Sequence, residues 1–152
     1  MRIKGAVVCA AIWLLGAGLA VAAGADAAAP AAGGKLLLQL NNAQTADASC
    51  RVTFVILNQT STPIKSSSYT MSLFDPGGQI IKPVNLKFPP FPVGKTKVIQ
   101  FPLDLTCDKI SGIVPDETEC TAGDDTPSTV CGDAVSLSSK TTIQFPWNPD
   151  TK

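Results

Sequence analysis

Histidine is absent from the 152-residue sequence, and charged and aromatic side chains are both scarce. Without histidine the chain lacks the commonest general base and the commonest transition-metal ligand, so Ser-His-Asp and Cys-His catalysis are excluded. Lysine and arginine together number 12, as do aspartate and glutamate, and they form few basic clusters. Nucleic-acid binding requires a concentrated positive surface, which this sequence does not offer. We therefore expect a non-catalytic protein that needs no cofactor and binds no nucleic acid.

The N-terminal segment resembles an export signal. A short positive start at residues 1–4 precedes residues 6–25, which carry no charge. Small residues at 20–22 and 21–23 satisfy the small-x-small cleavage rule, so we predict a signal-peptide helix over residues 1–23. An uncleaved membrane anchor is the alternative, because about 20 apolar residues can span a bilayer. The run is rich in Ala and Gly, which favours cleavage, and no stable membrane span is then expected.

The remaining chain divides into three predicted parts. Residues 24–34 are rich in Ala and Gly and are predicted to form a flexible lead-in. Residues 35–147 form the predicted domain, and residues 148–152 form a short tail. Cleavage would remove two basic residues and nothing acidic, leaving 10 basic against 12 acidic residues, a net charge of −2.

The cysteine count also changes on cleavage, from 5 to 4, because Cys9 is removed. An even number in an exported chain predicts two disulfides and a periplasmic or secreted location. Of the three possible pairings we favour Cys120–Cys131, which closes a short polar loop, with Cys50–Cys107, which joins two distant strands. A four-cysteine metal site is the alternative, but the spacings of 57, 13 and 11 contain no CxxC pair.

Apolar residues after Lys35 recur with a period of two, and no stretch shows a convincing helical period. Residues 52–57 are apolar at both parities, so this strand is predicted to be central and covered on both faces. Turn residues at 75–78 predict a hairpin, and Pro83 predicts an edge strand because it lacks an N–H. Apolar and polar residues alternate through residues 135–145, which predicts one strand with a single apolar face.

About seven such strands with regular turns predict an all-β fold, an immunoglobulin-like antiparallel β-sandwich. A small barrel is the alternative architecture.

An acidic segment is the first candidate site. Six carboxylates lie within residues 116–133, which contain no Lys or Arg. Oxygen ligands in a disulfide-closed loop are what Ca²⁺ requires, and the candidate ligands are Asp116, Glu119, Asp124 and Asp125. The ordered spacing of an EF-hand is missing, so a solvated loop extended by its like charges is the favoured alternative.

A Phe- and Pro-rich segment, residues 87–95, is the second candidate site. Alternating Phe and Pro favour an extended, polyproline-like backbone. If Phe88 and Phe91 are exposed, they offer aromatic anchors beside the Pro83 edge, where a partner could add a strand. The alternative is that both rings fold back and close one end of the sandwich. The partner expected here is an envelope protein of unknown identity.

Several short motifs carry a family resemblance: residues 50–58, 73–75, 93–96, 98–101, 107–110 and 137–141, together with Gly78. Together they resemble a family of small exported bacterial proteins of unknown function, many with Tat export signals. The resemblance covers roughly residues 36–145 and implies export and disulfides, but no activity. Residues 1–4 lack a twin arginine, so Sec export is expected instead.

A shorter pattern, Asn58, residues 74–75, Gly78 and residues 94–96, looks like the FxLYD-type immunoglobulin-like domains of bacterial envelope proteins. This likeness implies a β-sandwich. The sequence thus predicts an exported, non-catalytic module that binds a partner or gives structural support in the bacterial cell envelope. The alternative is a calcium-stabilised or ligand-binding secreted module that uses the acidic segment.

Overall fold

A computed structural model describes residues 34–147 of the chain. The predicted signal peptide, most of the predicted lead-in and the predicted tail therefore lie outside the described residues. Within this range the chain forms seven strands, a 3₁₀ turn (Cys107–Lys109) and one short helix, α1 (Val130–Asp133). The strands are β1 (Leu36–Ala46), β2 (Ser49–Asn58), β3 (Ile64–Phe74), β4 (Ile80–Phe88), β5 (Thr96–Leu103), β6 (Gly112–Ala122) and β7 (Val135–Ser139).

The strands form two sheets, and the predicted immunoglobulin-like β-sandwich is confirmed in place of the barrel. The four-stranded sheet has the order β5-β2-β1-β7, and the three-stranded sheet has the order β4-β3-β6. Neighbouring strands are antiparallel except β1 and β7, which are parallel. None of the helices in residues 34–147 is long and apolar enough to cross a membrane.

The core lies between the sheets because alternate side chains of each strand point to the same face. Residues 36, 38 and 40 of β1 and residues 52, 54 and 56 of β2 are almost completely buried. They face Tyr69, Met71 and Leu73 of β3, which are also fully buried. Removing this apolar surface from water is the main favourable term in folding.

The predicted hairpin between β3 and β4 is confirmed. The Gly78 N–H donates to the Asp75 carbonyl at 2.9 Å, and the Gln79 N–H donates to Asp75 Oδ1 at 2.8 Å. Gly78 has a φ of 79°, a conformation that glycine adopts without steric cost. This turn places β4 beside β3 at the edge of the three-stranded sheet.

The single strand predicted over residues 135–145 is wrong, because β7 ends at Ser139. Two side-chain hydrogen bonds turn the chain there: Ser139 Oγ donates to the Ile143 carbonyl at 2.7 Å and accepts from the Thr141 N–H at 3.1 Å. The chain then crosses to the other sheet, where the Ile113 N–H donates to the Gln144 carbonyl at 2.9 Å. The alternating pattern therefore continues through a crossover between the two sheets.

Candidate binding surfaces

Two disulfides join distant parts of the fold, and their pairing is the one that the sequence favours. Cys50, near the start of β2, is bonded to Cys107 in the 3₁₀ turn, with Cα atoms 4.7 Å apart. Cys120 of β6 is bonded to Cys131 of α1, with Cα atoms 6.0 Å apart. Cys50 and Cys131 are completely buried. The first disulfide thus ties β2 to the 3₁₀ turn, and the second ties β6 to α1.

The prediction that Phe88 and Phe91 are exposed anchors is wrong, because their side chains are only 4% and 1% exposed. The Phe88 ring lies 5.0 Å from the Phe101 ring and 5.4 Å from the Tyr69 ring. Backbone hydrogen bonds with Ile64 hold Phe91 in place at 2.8 and 3.1 Å. Both rings therefore belong to the core, as the alternative interpretation of this segment predicts.

The strand that contains Pro83 is an edge strand, as the sequence predicts. This edge nevertheless opposes the addition of another strand, because Pro83 lacks a backbone donor and a bulge follows Ile80. Lys82, which is paired with inward-facing Leu73, forms an ion pair with Asp104 at 3.5 Å. Inward-pointing charge, proline and bulges are the devices by which proteins protect sheet edges.

The edge of β5 carries the same protection. Pro102 lies within this strand, and Lys97 is the register partner of the buried Ile56. A lysine at an inward position keeps a second strand from pairing there, since its ammonium group must remain in water.

The edge of β6 is covered by the chain itself. The Ser128 N–H donates to the Cys120 carbonyl at 2.9 Å, and the Ala122 N–H donates to the Thr126 carbonyl at 2.8 Å. Further along, α1 approaches the strand so closely that a Cβ on Gly132 would lie 3.1 Å from Thr118 Oγ1. The Cys120–Cys131 disulfide fixes this cover in place.

The four predicted calcium ligands do not converge. Asp116 and Glu119 lie on β6, and Asp125 pairs instead with Lys65 at 2.5 Å. Asp124 accepts hydrogen bonds from the Thr126 hydroxyl and backbone N–H, which hold the pKa of its carboxyl below the ordinary value. No three acidic, cysteine or histidine side chains in residues 34–147 are arranged to hold a metal ion. The predicted calcium site is therefore not assembled in the structure, since the four carboxylates do not converge and Asp124 and Asp125 each have another partner.

Calcium should consequently have no effect on thermal stability. We expect the same melting temperature in excess CaCl₂ and in EDTA, because a ligand stabilises a fold only if it binds the native state. The measurement is a thermal melt followed by circular dichroism, with Asp124→Asn/Asp125→Asn as the matched variant. A melting temperature that rises with calcium in the native chain and not in the variant would contradict the structure.

A buried polar cluster around Asn58 was missed by the sequence analysis. Asn58 is completely buried, and its amide nitrogen donates to the carbonyls of Thr62 and Phe91, both at 2.9 Å. Its amide oxygen accepts from the Thr60 N–H at 3.0 Å and the Thr60 hydroxyl at 2.7 Å. Asn58, Gln59 and Thr60 match the N-glycosylation pattern, but the buried amide has no room for a glycan. The cluster ties the end of β2 to the chain around Phe91.

Tyr69 is the one titratable side chain that is buried in the described part of the chain. Its hydroxyl donates to the Cys131 carbonyl at 3.0 Å, and burial raises its pKa above the ordinary value. The carboxylates and amines of residues 34–147 are all half-buried or exposed. Tyr69 therefore acts as a structural hydrogen-bond donor between β3 and α1.

The outer face of the four-stranded sheet is apolar at its centre. By register Leu37 pairs with Leu57, and Val55 pairs with Val98. Val98 is 66% exposed, and the other three side chains are half-buried. A shallow groove of about 230 Å³ crosses this face, lined by residues 37, 39, 55, 57, 96, 136 and 138. The prediction that β2 is covered on both faces is thus wrong for its outer face, on which no described element packs.

Comparisons with known proteins support the fold alone. No protein-family model and no curated protein matches the sequence. Among solved structures, the chain is similar to IrmA from Escherichia coli, with a TM-score of 0.56 and 9% sequence identity. The similarity covers 68% of this chain and 90% of IrmA. At this identity the likeness extends to the β-sandwich architecture and not to function.

Proposed function

We propose that this chain is an exported, non-catalytic module of the bacterial cell envelope that acts by binding a partner or by structural support. The observation that carries the proposal is the pair of disulfides, Cys50–Cys107 and Cys120–Cys131. Disulfides persist in oxidising compartments such as the periplasm and are rare where thiols are kept reduced. A leader of the secretory type precedes the domain and supports the same location.

The chemistry of the side chains supports a binding or structural role over catalysis. The sequence contains no histidine, and the buried Tyr69 hydroxyl is committed to the Cys131 carbonyl. Enzymes place perturbed titratable groups in clefts, whereas the charged groups of residues 34–147 are half-buried or exposed, and three ion pairs join some of them.

The location is tested by trapping thiols in intact cells that express the full chain. Alkylation before lysis should add no label to the exported protein, whereas reduction before alkylation should add one label to each of the four remaining cysteines. Mass spectrometry of the intact protein gives both the label count and the cleavage site. A full-length cytoplasmic chain with labelled, reduced cysteines would overturn the proposal.

The binding role is tested by photo-crosslinking in the native envelope. Crosslinkable residues are placed at exposed positions on each surface, with the buried Phe91 position as a negative control. We expect discrete adducts from one surface, and their pattern identifies that surface. Absence of adducts from every exposed position would count against binding and favour structural support.

A further inference from the structure

We propose that the outer face of the four-stranded sheet is the interface of a symmetric dimer of this chain. This inference goes beyond the proposed function, which assigns no partner to this face. It starts from β2, whose sequence is apolar at both parities, as in a strand buried on both faces. In the described chain only the inner face is covered, so Val55 and Leu57 retain contact with water.

The apolar side chains on this face form a continuous patch across three strands. Leu37 and Leu57 are cross-strand neighbours, as are Val55 and Val98, and Val55 and Leu57 lie two residues apart on the same face of β2. Cross-strand neighbours have Cβ atoms about 4.5–5.5 Å apart, close enough for their side chains to touch. The patch lies at the end of the sheet where β1 begins.

The patch is complementary to a second copy of itself. Val98 projects from β5 and is 66% exposed, and the groove beside it has Leu37, Val55 and Leu57 in its lining. A two-fold axis brings the same surface of two copies together. If one residue of the first copy contacts a second residue of the other copy, the reciprocal contact forms as well. Val98 of each copy would thus enter the groove of the other, whose volume is about 230 Å³.

Charge does not oppose this contact. The polar residues that share the face by register around the patch are neutral: Gln39, Thr53, Thr96, Gln100, Ser136 and Ser138. Arg51, the register partner of Gln44 and Pro102, lies on the same face but at its opposite end, away from the patch. Charged residues are depleted at the centre of protein interfaces because their desolvation is costly. In contrast, the carboxylates at 116, 117 and 119 lie on β6, in the other sheet.

The area of the face predicts a weak dimer. The strands lie about 4.8 Å apart, and three of them offer at least eight residues whereas β7 offers five, so the face covers roughly 450 Å² on each copy, or about 900 Å² in the pair. That value lies below the standard size of stable interfaces and within the range of weak, transient ones. We therefore expect association that depends on concentration, with a dissociation constant on the order of micromolar or weaker.

The test measures the molar mass of the mature, oxidised protein by sedimentation equilibrium from micromolar to millimolar concentration. The native chain should shift from monomer to dimer over this range. Val98→Asp should raise the dissociation constant by at least about tenfold, because a carboxylate of each copy would be desolvated in the apolar groove of the other. The matched control is Ile80→Asp, since Ile80 is 61% exposed on the opposite sheet and should leave dimerisation unchanged.

Thermal melts at low concentration check that both variants fold, which their exposed positions favour. A native chain that stays monomeric at every concentration would overturn the proposal, as would an equal effect of the two substitutions. If a crosslinker at position 98 captures a different envelope protein and never a second copy, the face is a heterologous docking surface and the dimer is likewise rejected.

Discussion

Replacing Cys50 and Cys107 together with Ala should lower the free energy of unfolding by about 4 kcal/mol. The bonded residues are separated by 57 positions, so the disulfide greatly restricts the unfolded chain. In the loop-entropy model this restriction grows with the logarithm of the loop length. Small domains have a total stability of about 5–15 kcal/mol, so the variant should be near its unfolding threshold at growth temperature.

The second disulfide provides the matched control. Its partners are separated by 11 positions, and the same model gives about 3 kcal/mol for Cys120→Ala/Cys131→Ala. Urea unfolding of the two variants, compared with the oxidised native chain, measures both losses. A larger loss from the short loop than from the long one would show that native packing, and not loop closure, decides the contribution of these bonds.

Asn58→Asp should lower the free energy of unfolding by about 3–5 kcal/mol, the cost of an uncompensated buried charge. The amide nitrogen donates to two carbonyls at 2.9 Å, and a carboxylate can donate to neither. The substituted group would instead place negative oxygens against the carbonyls of Thr62 and Phe91. The substitution keeps the shape of the side chain, so the loss of stability measures the effect of hydrogen bonding and charge.

The measurement is urea unfolding at neutral and at mildly acidic pH. Burial raises the pKa of the new carboxyl above its unfolded value, so the native state binds more protons and the variant loses stability as the pH rises. Asn85→Asp is the control, because Asn85 is exposed and its change should stay within about 0.5 kcal/mol. Equal stability of the two variants would show that the Asn58 amide is not required.

Local patterns made much of the fold predictable from the sequence. Alternating apolar residues depend only on the two-residue repeat of a strand, which is why the sandwich class was predictable. The turn at Asp75 depends on glycine and on a side chain that binds its own backbone. Pro83 lies at an edge because an internal strand needs every N–H, so this prediction also follows from one residue.

Features that depend on distant contacts were not predictable. The burial of Phe88 is decided by rings on β2, β3 and β5, and no local pattern indicates those neighbours. Phe91 is buried against Phe88 and held by the backbone of Ile64, which is also distant in sequence. Asp124 and Asp125 are close in sequence, but each carboxylate finds its own partner, so proximity along the chain did not produce a metal site. The exposure of the outer face of β2 could not be predicted either, because an apolar residue does not indicate whether another element packs on it.

The parallel pairing of β1 with β7 has a consequence for how the chain reaches its native state. Gln39 and Ser138 are register partners although they are 99 positions apart, so the first and last strands of residues 34–147 lie side by side. A chain that emerges from its N-terminus cannot complete the four-stranded sheet until its last strand is available. Contacts of such long range fold slowly, since loop closure precedes any gain in packing. We therefore expect the pairing of β7 with β1 to be the final step of folding, after β7 has become available.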